Sequence, residues 1–104
     1  MRLKTGVKLK LLSPQICLAN QVVESIYARH EAECTITSAN DSIHSASSFH
    51  YKGTALDYRT RDFLGNKQEL LGEIKEALGP EFDVLLEDED GPNEHIHIEW
   101  DPKS

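Results

Sequence analysis

A single small domain that mixes helices with strands is predicted by three features of this chain. Two segments repeat apolar residues at helical spacing, two β-prone runs near the C-terminus are joined by a polar turn, and a further short strand is entered through a glycine. The span 1–104 shows no internal repeat and no linker, so one core has to serve the whole chain.

The first helix starts at Ser13-Pro14, a hydroxyl able to cap followed by a proline suited to the first turn. Ile16, Ala19, Val23, Ile26 and Tyr27 then fall on one helical face, which predicts a helix from Pro14 to about His30. His30 itself, at the helix end, reads as a surface or hydrogen-bonded residue. The run Cys34-Thr35-Ile36-Thr37 is β-prone, and 38–49 is rich in Ser, Asn and Asp, which favours loop. Thr54 to Arg59 reads as a strand entered through Gly53, where the missing side chain makes a turn cheap. Asn66 with Glu69 forms a capping-box-like start for a second helix. Leu70, Leu71, Ile74, Ala77 and Leu78 supply its apolar face, and Gly79-Pro80 ends it. Phe82–Leu86 and His95–Trp100 then read as a hairpin whose tip is EDEDGPNE. The acidic run 87–90 is not a calcium loop, because Gly91 misses the glycine position of a regular EF-hand, so it is read as a solvated tip.

A formal net charge of -7 argues against a nucleic-acid or anionic-membrane surface, since both want clustered Lys and Arg. It leaves a polyanionic wall polymer open as a substrate. Arg2, Lys4, Lys8 and Lys10 are not followed by an apolar run long enough for a secretory signal, and no segment is long and apolar enough to span a membrane. The chain is therefore expected to be made in the cytoplasm. Cys17 and Cys34 lack the close spacing of a zinc or redox pair and read as two buried free thiols, with a bridge left open.

Chemistry concentrates in two short segments: His50 and Asp57 in SSFHYKGTALD, then Glu94 and His97 in EHIHIEW. A hydrolytic zinc centre takes three ligands from His, Asp and Glu and keeps one position open. His50, Asp57 and His97 fill those places. A carboxylate that is not a ligand must take the proton of the attacking water, and Glu94 is the candidate. In a domain this small, a bound metal would also add stability.

Strand alternation puts His95 and His97 on one face, with Ile96 and Ile98 left for the core. Glu94 and His97 differ by an odd number of positions, as do His50 and Asp57, so neither pair shares a face of one straight strand. Turns around Gly91 and at 51–53 are therefore required. Arg59, two positions beyond Asp57, would face the same cleft as a cation for a substrate carboxylate.

Read as SxHxxGxAxD, Ser48 to Asp57, followed by Glu94 to Trp100, the chain resembles the D-Ala-D-Ala carboxypeptidase and L-Ala-D-Glu endopeptidase group of zinc peptidases, which shares its fold with the hedgehog signalling domain. From Gly6 to Lys103, with the strings TSANDSIHS, DYRTRD, EALGPEFDV and HIHIEWDPK, it is similar to a compact branch found in bacteriophages and bacteria. The resemblance implies an α+β fold in which an antiparallel sheet carries the metal and helices pack on the other face. It implies one zinc ion on His50, Asp57 and His97, Glu94 as general base, His95 as an auxiliary group steadying the oxyanion, and Ser48 on the substrate side. The larger family often draws a substrate-binding arginine from an SGYR-like segment. Here Ser38-Ala39-Asn40-Asp41 stands in that place, which hands anchoring to Arg59 or Arg61, with His44 as a further contact.

The expected activity is hydrolysis of peptidoglycan stem peptides by a monomer acting on the cell wall, as a phage lysin or a bacterial wall enzyme. The alternative is a non-catalytic, zinc-stabilised binding module like the hedgehog relative.

Overall fold

A computed structural model describes residues 2–4, 13–39 and 55–101. His44, Ser48 and His50 lie outside the described residues, as does the expected turn at 51–53.

Ser13 caps the first helix, α1 (Pro14–Arg29), its hydroxyl accepting from the Ile16 amide at 3.2 Å while Pro14 occupies the first turn. The five apolar residues read from the sequence, Ile16, Ala19, Val23, Ile26 and Tyr27, are its buried ones. Asn66 caps the second helix, α2 (Lys67–Leu78), accepting from the amides of Gln68 at 2.9 Å and Glu69 at 3.1 Å. Gly79 terminates it at φ 85, a left-handed conformation that costs a glycine little. The two helices are clasped by Glu73, which takes Arg29 at 3.5 Å and the Nε2 of His30 at 2.9 Å.

Among the described residues five strands form one sheet: β1 (Arg2–Leu3), β2 (Thr35–Ser38), β3 (Ala55–Arg59), β4 (Phe82–Glu87) and β5 (His95–Trp100), in the order β1-β2-β3-β5-β4. The fold is α+β as expected, but the sheet is mixed rather than purely antiparallel. The correction comes from β1, which runs parallel to β2 through bonds from the Arg2 amide to Cys34 and from the Lys4 amide to Ile36. A strand of two residues carries no periodicity to read.

Both helices lie on one face of the sheet. Leu56 and Tyr58 of β3, Val84 of β4, and Ile96 and Ile98 of β5 bury against Ile16, Val23, Ile26 and Tyr27 of α1 and Leu70 and Ile74 of α2. Two tyrosines pin β3 to α1, Tyr27 donating to the Arg59 carbonyl at 2.9 Å and Tyr58 to Asn20 Oδ1 at 2.6 Å. Burial pushes both phenols well above the usual range, which keeps them neutral donors. Cys34 is buried, its thiol pushed up to about 12 by burial and then by the charge of Glu24. Cys17 is exposed, contrary to expectation, because Ile16 and Ala19 own the inward face of α1. Both thiols are free. Among the described residues no helix is long and apolar enough to cross a membrane.

The opposite face of the sheet is left for polar groups. In β5, His95, His97 and Glu99 alternate with the buried isoleucines, and in β3 Asp57 and Arg59 alternate with Leu56 and Tyr58.

Candidate metal centre and cleft

Register brings the polar residues of three adjacent strands together. Antiparallel pairing sets Asp57 of β3 opposite His97 of β5 and Arg59 opposite His95, while β4 sets Glu87 opposite His95 and Leu85 opposite His97. On the far side of β3, a register shift in β2 places Ser38 across from Asp57.

His97 is buried, and each of its ring nitrogens meets a carboxylate: Nδ1 lies 2.7 Å from Asp57 Oδ1 and Nε2 lies 2.7 Å from Glu99 Oε1. Carboxylates accept, so in this arrangement both nitrogens carry protons. Burial alone would depress the imidazole, but the bond to Asp57 and its charge, followed by those of Glu99, outweigh it and lift His97 to about 9.

His95 is held in the same manner. Its Nδ1 lies 2.7 Å from the Asn93 carbonyl and its Nε2 lies 2.9 Å from Glu87 Oε1, with Asp57 Oδ2 at 3.8 Å. Burial again pulls the group down, and the Asn93 carbonyl, Asp57 and Glu87 together raise it above the usual histidine range.

Each imidazole therefore has one nitrogen fixed on an outer acceptor and the other aimed at Asp57 or Glu87. Histidines that ligate metals are oriented in this way, the second ring nitrogen bonded to a carboxylate or a carbonyl. One ligand atom from each of Asp57, Glu87 and His95 falls within 4.8 Å of the others, a grouping able to hold a metal ion. The mixed nitrogen and oxygen donor set suits zinc among other divalent cations. No family model, curated protein or solved structure matches the chain.

Glu94 sits where the hairpin tip becomes strand. Bonds from the Gly91 amide to the Asp88 carbonyl and from the Glu94 amide to the Gly91 carbonyl wind the chain through two turns, with Asp88 and Asp90 at positive φ. A side chain at Gly91 would be crowded there, its Cβ standing 3.1 Å from the Asp88 carbonyl oxygen. This is the irregular backbone that the odd spacing of Glu94 and His97 demanded. Its result is that Glu94 lines one cleft of about 570 Å³ together with Asp57, Arg59, Lys67 and His95.

Within that cleft the Glu94 side chain is only 6% exposed and fully engaged. It is paired with Lys67 Nζ at 2.6 Å, accepts from the Asp90 amide at 2.8 Å, and takes the hydroxyl of Thr60. Burial would raise this carboxyl, but the Asp90 amide, Lys67 and Thr60 hold it down at about 2. In this arrangement Glu94 is a clasp joining the hairpin to the end of β3 and the first turn of α2.

Of the residues singled out from the sequence, the structure brings Asp57 together with His95 and His97, and Asp57, His95, Glu94 and Arg59 line one cleft. Four contributors were not foreseen. By sequence Glu87 falls in the solvated tip, Glu99 lies within the strand His95–Trp100 with no role, and Thr60 and Lys67 carry none. The alternation that placed His95 and His97 also places Glu99 on their face, so Glu99 was within reach of sequence reading. Glu87 was not, because the register across a seven-residue connection is invisible before folding.

Proposed function

We propose that this chain is a zinc-dependent peptidase that hydrolyses peptide bonds of peptidoglycan stem peptides, of the D-Ala-D-Ala carboxypeptidase or L-Ala-D-Glu endopeptidase type. The observation that carries the reading is the pairing of Asp57 with His97 across β3 and β5, backed by Glu99, with Asp57 also on the wall of a cleft that Glu94, His95 and Arg59 line. Asp57 and His97 supply two of the ligands and His50 the third. Zinc held there would supply Lewis acidity toward a water and a scissile carbonyl.

The remaining work belongs to side chains. Glu94 accepts the proton of the attacking water and returns it to the leaving amine. For that it has to give up Lys67, since a carboxylate held at about 2 is a poor base at neutral pH. The carboxylate of a stem peptide entering the cleft is a competing partner for Lys67 and Arg59, so substrate binding itself frees the base. His95, its Nδ1 fixed on the Asn93 carbonyl, turns to the developing oxyanion the Nε2 proton that Glu87 takes in the free protein.

Mass spectrometry of peptidoglycan digested with zinc-loaded protein tests this reading and identifies the bond cut. Release of no muropeptide fragment by the wild type would overturn it. One observation favours a second reading, the metal-stabilised binding module: the saturated clasp of Glu94 on Thr60, Lys67 and Asp90 is a structural arrangement as it stands. That reading predicts zinc binding without hydrolysis.

A further inference from the structure

Glu87 stands at the end of β4, opposite His95 in the hairpin register, so the two side chains rise from the same face of the sheet. Asp57 rises from β3 on the other side of β5. Between the two carboxylates lie the inner nitrogens of both histidines. His95 Nε2 is 2.9 Å from Glu87 Oε1 and 3.8 Å from Asp57 Oδ2, and His97 Nδ1 is 2.7 Å from Asp57 Oδ1 and 4.0 Å from Glu87 Oε1. Glu87 Oε1 is thus within 4.0 Å of both imidazoles.

These separations bear on what can sit among the donors. Zinc with ligands at about 2.0–2.2 Å in a tetrahedral arrangement sets neighbouring donors roughly 3.3–3.6 Å apart. The distances between Glu87, Asp57 and the two histidines straddle that spacing without any change of strand register. Nε2 of His97 is already committed to Glu99, so its Nδ1 is the nitrogen presented to the ion, while His95, with Nδ1 committed to a carbonyl, keeps its Nε2 proton for the oxyanion.

We propose that Glu87 is a ligand of the same divalent cation, the contribution of β4 to a centre that three adjacent strands build together. This rests on the reading of Asp57 and His97 as metal ligands and adds a fourth protein ligand to the three of that reading, so that a hydrolytic water requires a fifth position on the ion. The consequence is mechanical as well as chemical. A cation held by β3, β5 and β4 at once staples the hairpin to the sheet on the face opposite the core, and fixes the end of the strand from which the Asp88–Glu94 turns depart.

The alternative role for Glu87 is to orient His95 by accepting its Nε2 proton, without touching the ion. Glu87→Gln separates the two, since the amide keeps an oxygen that accepts from His95 but removes the anionic ligand. The experiment is a competition titration of Zn²⁺ against a chromophoric chelator on the full chain, for wild type, Glu87→Gln, Glu87→Ala and Glu89→Ala, together with Co²⁺ absorption spectra and thermal unfolding of the metal-free forms. The expected result is a loss of affinity of about 100-fold or more in both Glu87 variants, at or beyond the upper end of what loss of an outer-shell partner causes. The Co²⁺ spectrum should change in both, while Glu89→Ala keeps the wild-type affinity and spectrum and Glu87→Gln, which retains an acceptor for His95, stays folded with a metal-free unfolding midpoint near that of the wild type.

Affinity and spectrum restored by glutamine would overturn the proposal in favour of orientation, as would wild-type affinity in both variants. A wild type that holds no stoichiometric cation would remove this ligand along with Asp57 and His97. A wild type that binds Zn²⁺ through Glu87 yet cuts no peptide would leave this inference standing and sink the peptidase reading alone.

Discussion

The two sides of β5 present opposite physics six residues long. Ile96 and Ile98 are completely buried against the helices, where the requirement is apolar volume and many residues would satisfy it. His95, His97 and Glu99 occupy the other side, where each ring nitrogen has one particular acceptor at 2.7–2.9 Å. One side tolerates exchange of equal volume; the other depends on the identity of single atoms. The comparison teaches that the core holds the platform in register, and that register decides which donors meet.

The sharpest break in that comparison is a change that the packing side cannot feel. Glu94→Gln is expected to retain zinc and the fold while losing hydrolysis by about 10²–10⁴-fold, the range that a general base contributes. Zinc content by mass spectrometry and muropeptide release, measured on the same sample, check it. Full cleavage by the variant would take the proton-transfer role away from Glu94.

On the packing side, Ile98→Ala should cost about 2–5 kcal/mol in denaturant unfolding, because Ile98 is fully enclosed between α1, α2 and the sheet. Substitution by Val at the same position should cost far less, near 1 kcal/mol. Equal costs for the two would mean that the site relaxes around the cavity.

The third test sets pH against the metal side. The metal-free His97 is raised from 6.5 to about 9, so the stability it contributes is fully present below pH 6.5 and is lost as pH rises through about 9. Melting curves of chelator-treated protein should therefore fall across that window, and Asp57→Asn should flatten the fall. Zn²⁺ affinity should move the other way, rising with pH over the same window, since binding needs a deprotonated imidazole.

The smallest effect concerns the clasp. Glu94 is depressed from 4.5 to about 2, so its contribution is present above pH 4.5 and disappears as pH falls through about 2. Lys67→Met removes one of the three groups responsible, and the loss of stability on acidification through that window should become shallower. An unchanged acid limb would assign the depression to Thr60 and the Asp90 amide.

Much of this architecture was legible before folding. Ser13 and Asn66 as caps, the buried face of α1, Gly79 as a stop and the alternation in β5 all depend on neighbours within about one turn or two residues, and local sequence carries such information directly. With Glu94 and His97 expected to serve one site, their odd spacing also pointed to irregular backbone at Glu94, and two turns are found there. What escaped was non-local. The parallel pairing of β1 with β2, the shift that sets Ser38 against Asp57, and the meeting of Glu94 with Lys67 and Thr60 each join residues from different elements.

Residue type and period alone thus singled out the candidate groups, and settled that His95 and His97 turn away from the core that Ile96 and Ile98 enter. Which carboxylate each histidine meets was settled by strand register. A slip of one residue in β4 would send Glu87 to the helix side and break its pairing with His95. Register is held by the fit of the whole apolar face, and that fit exists only once β3, β4 and β5 have closed on α1 and α2.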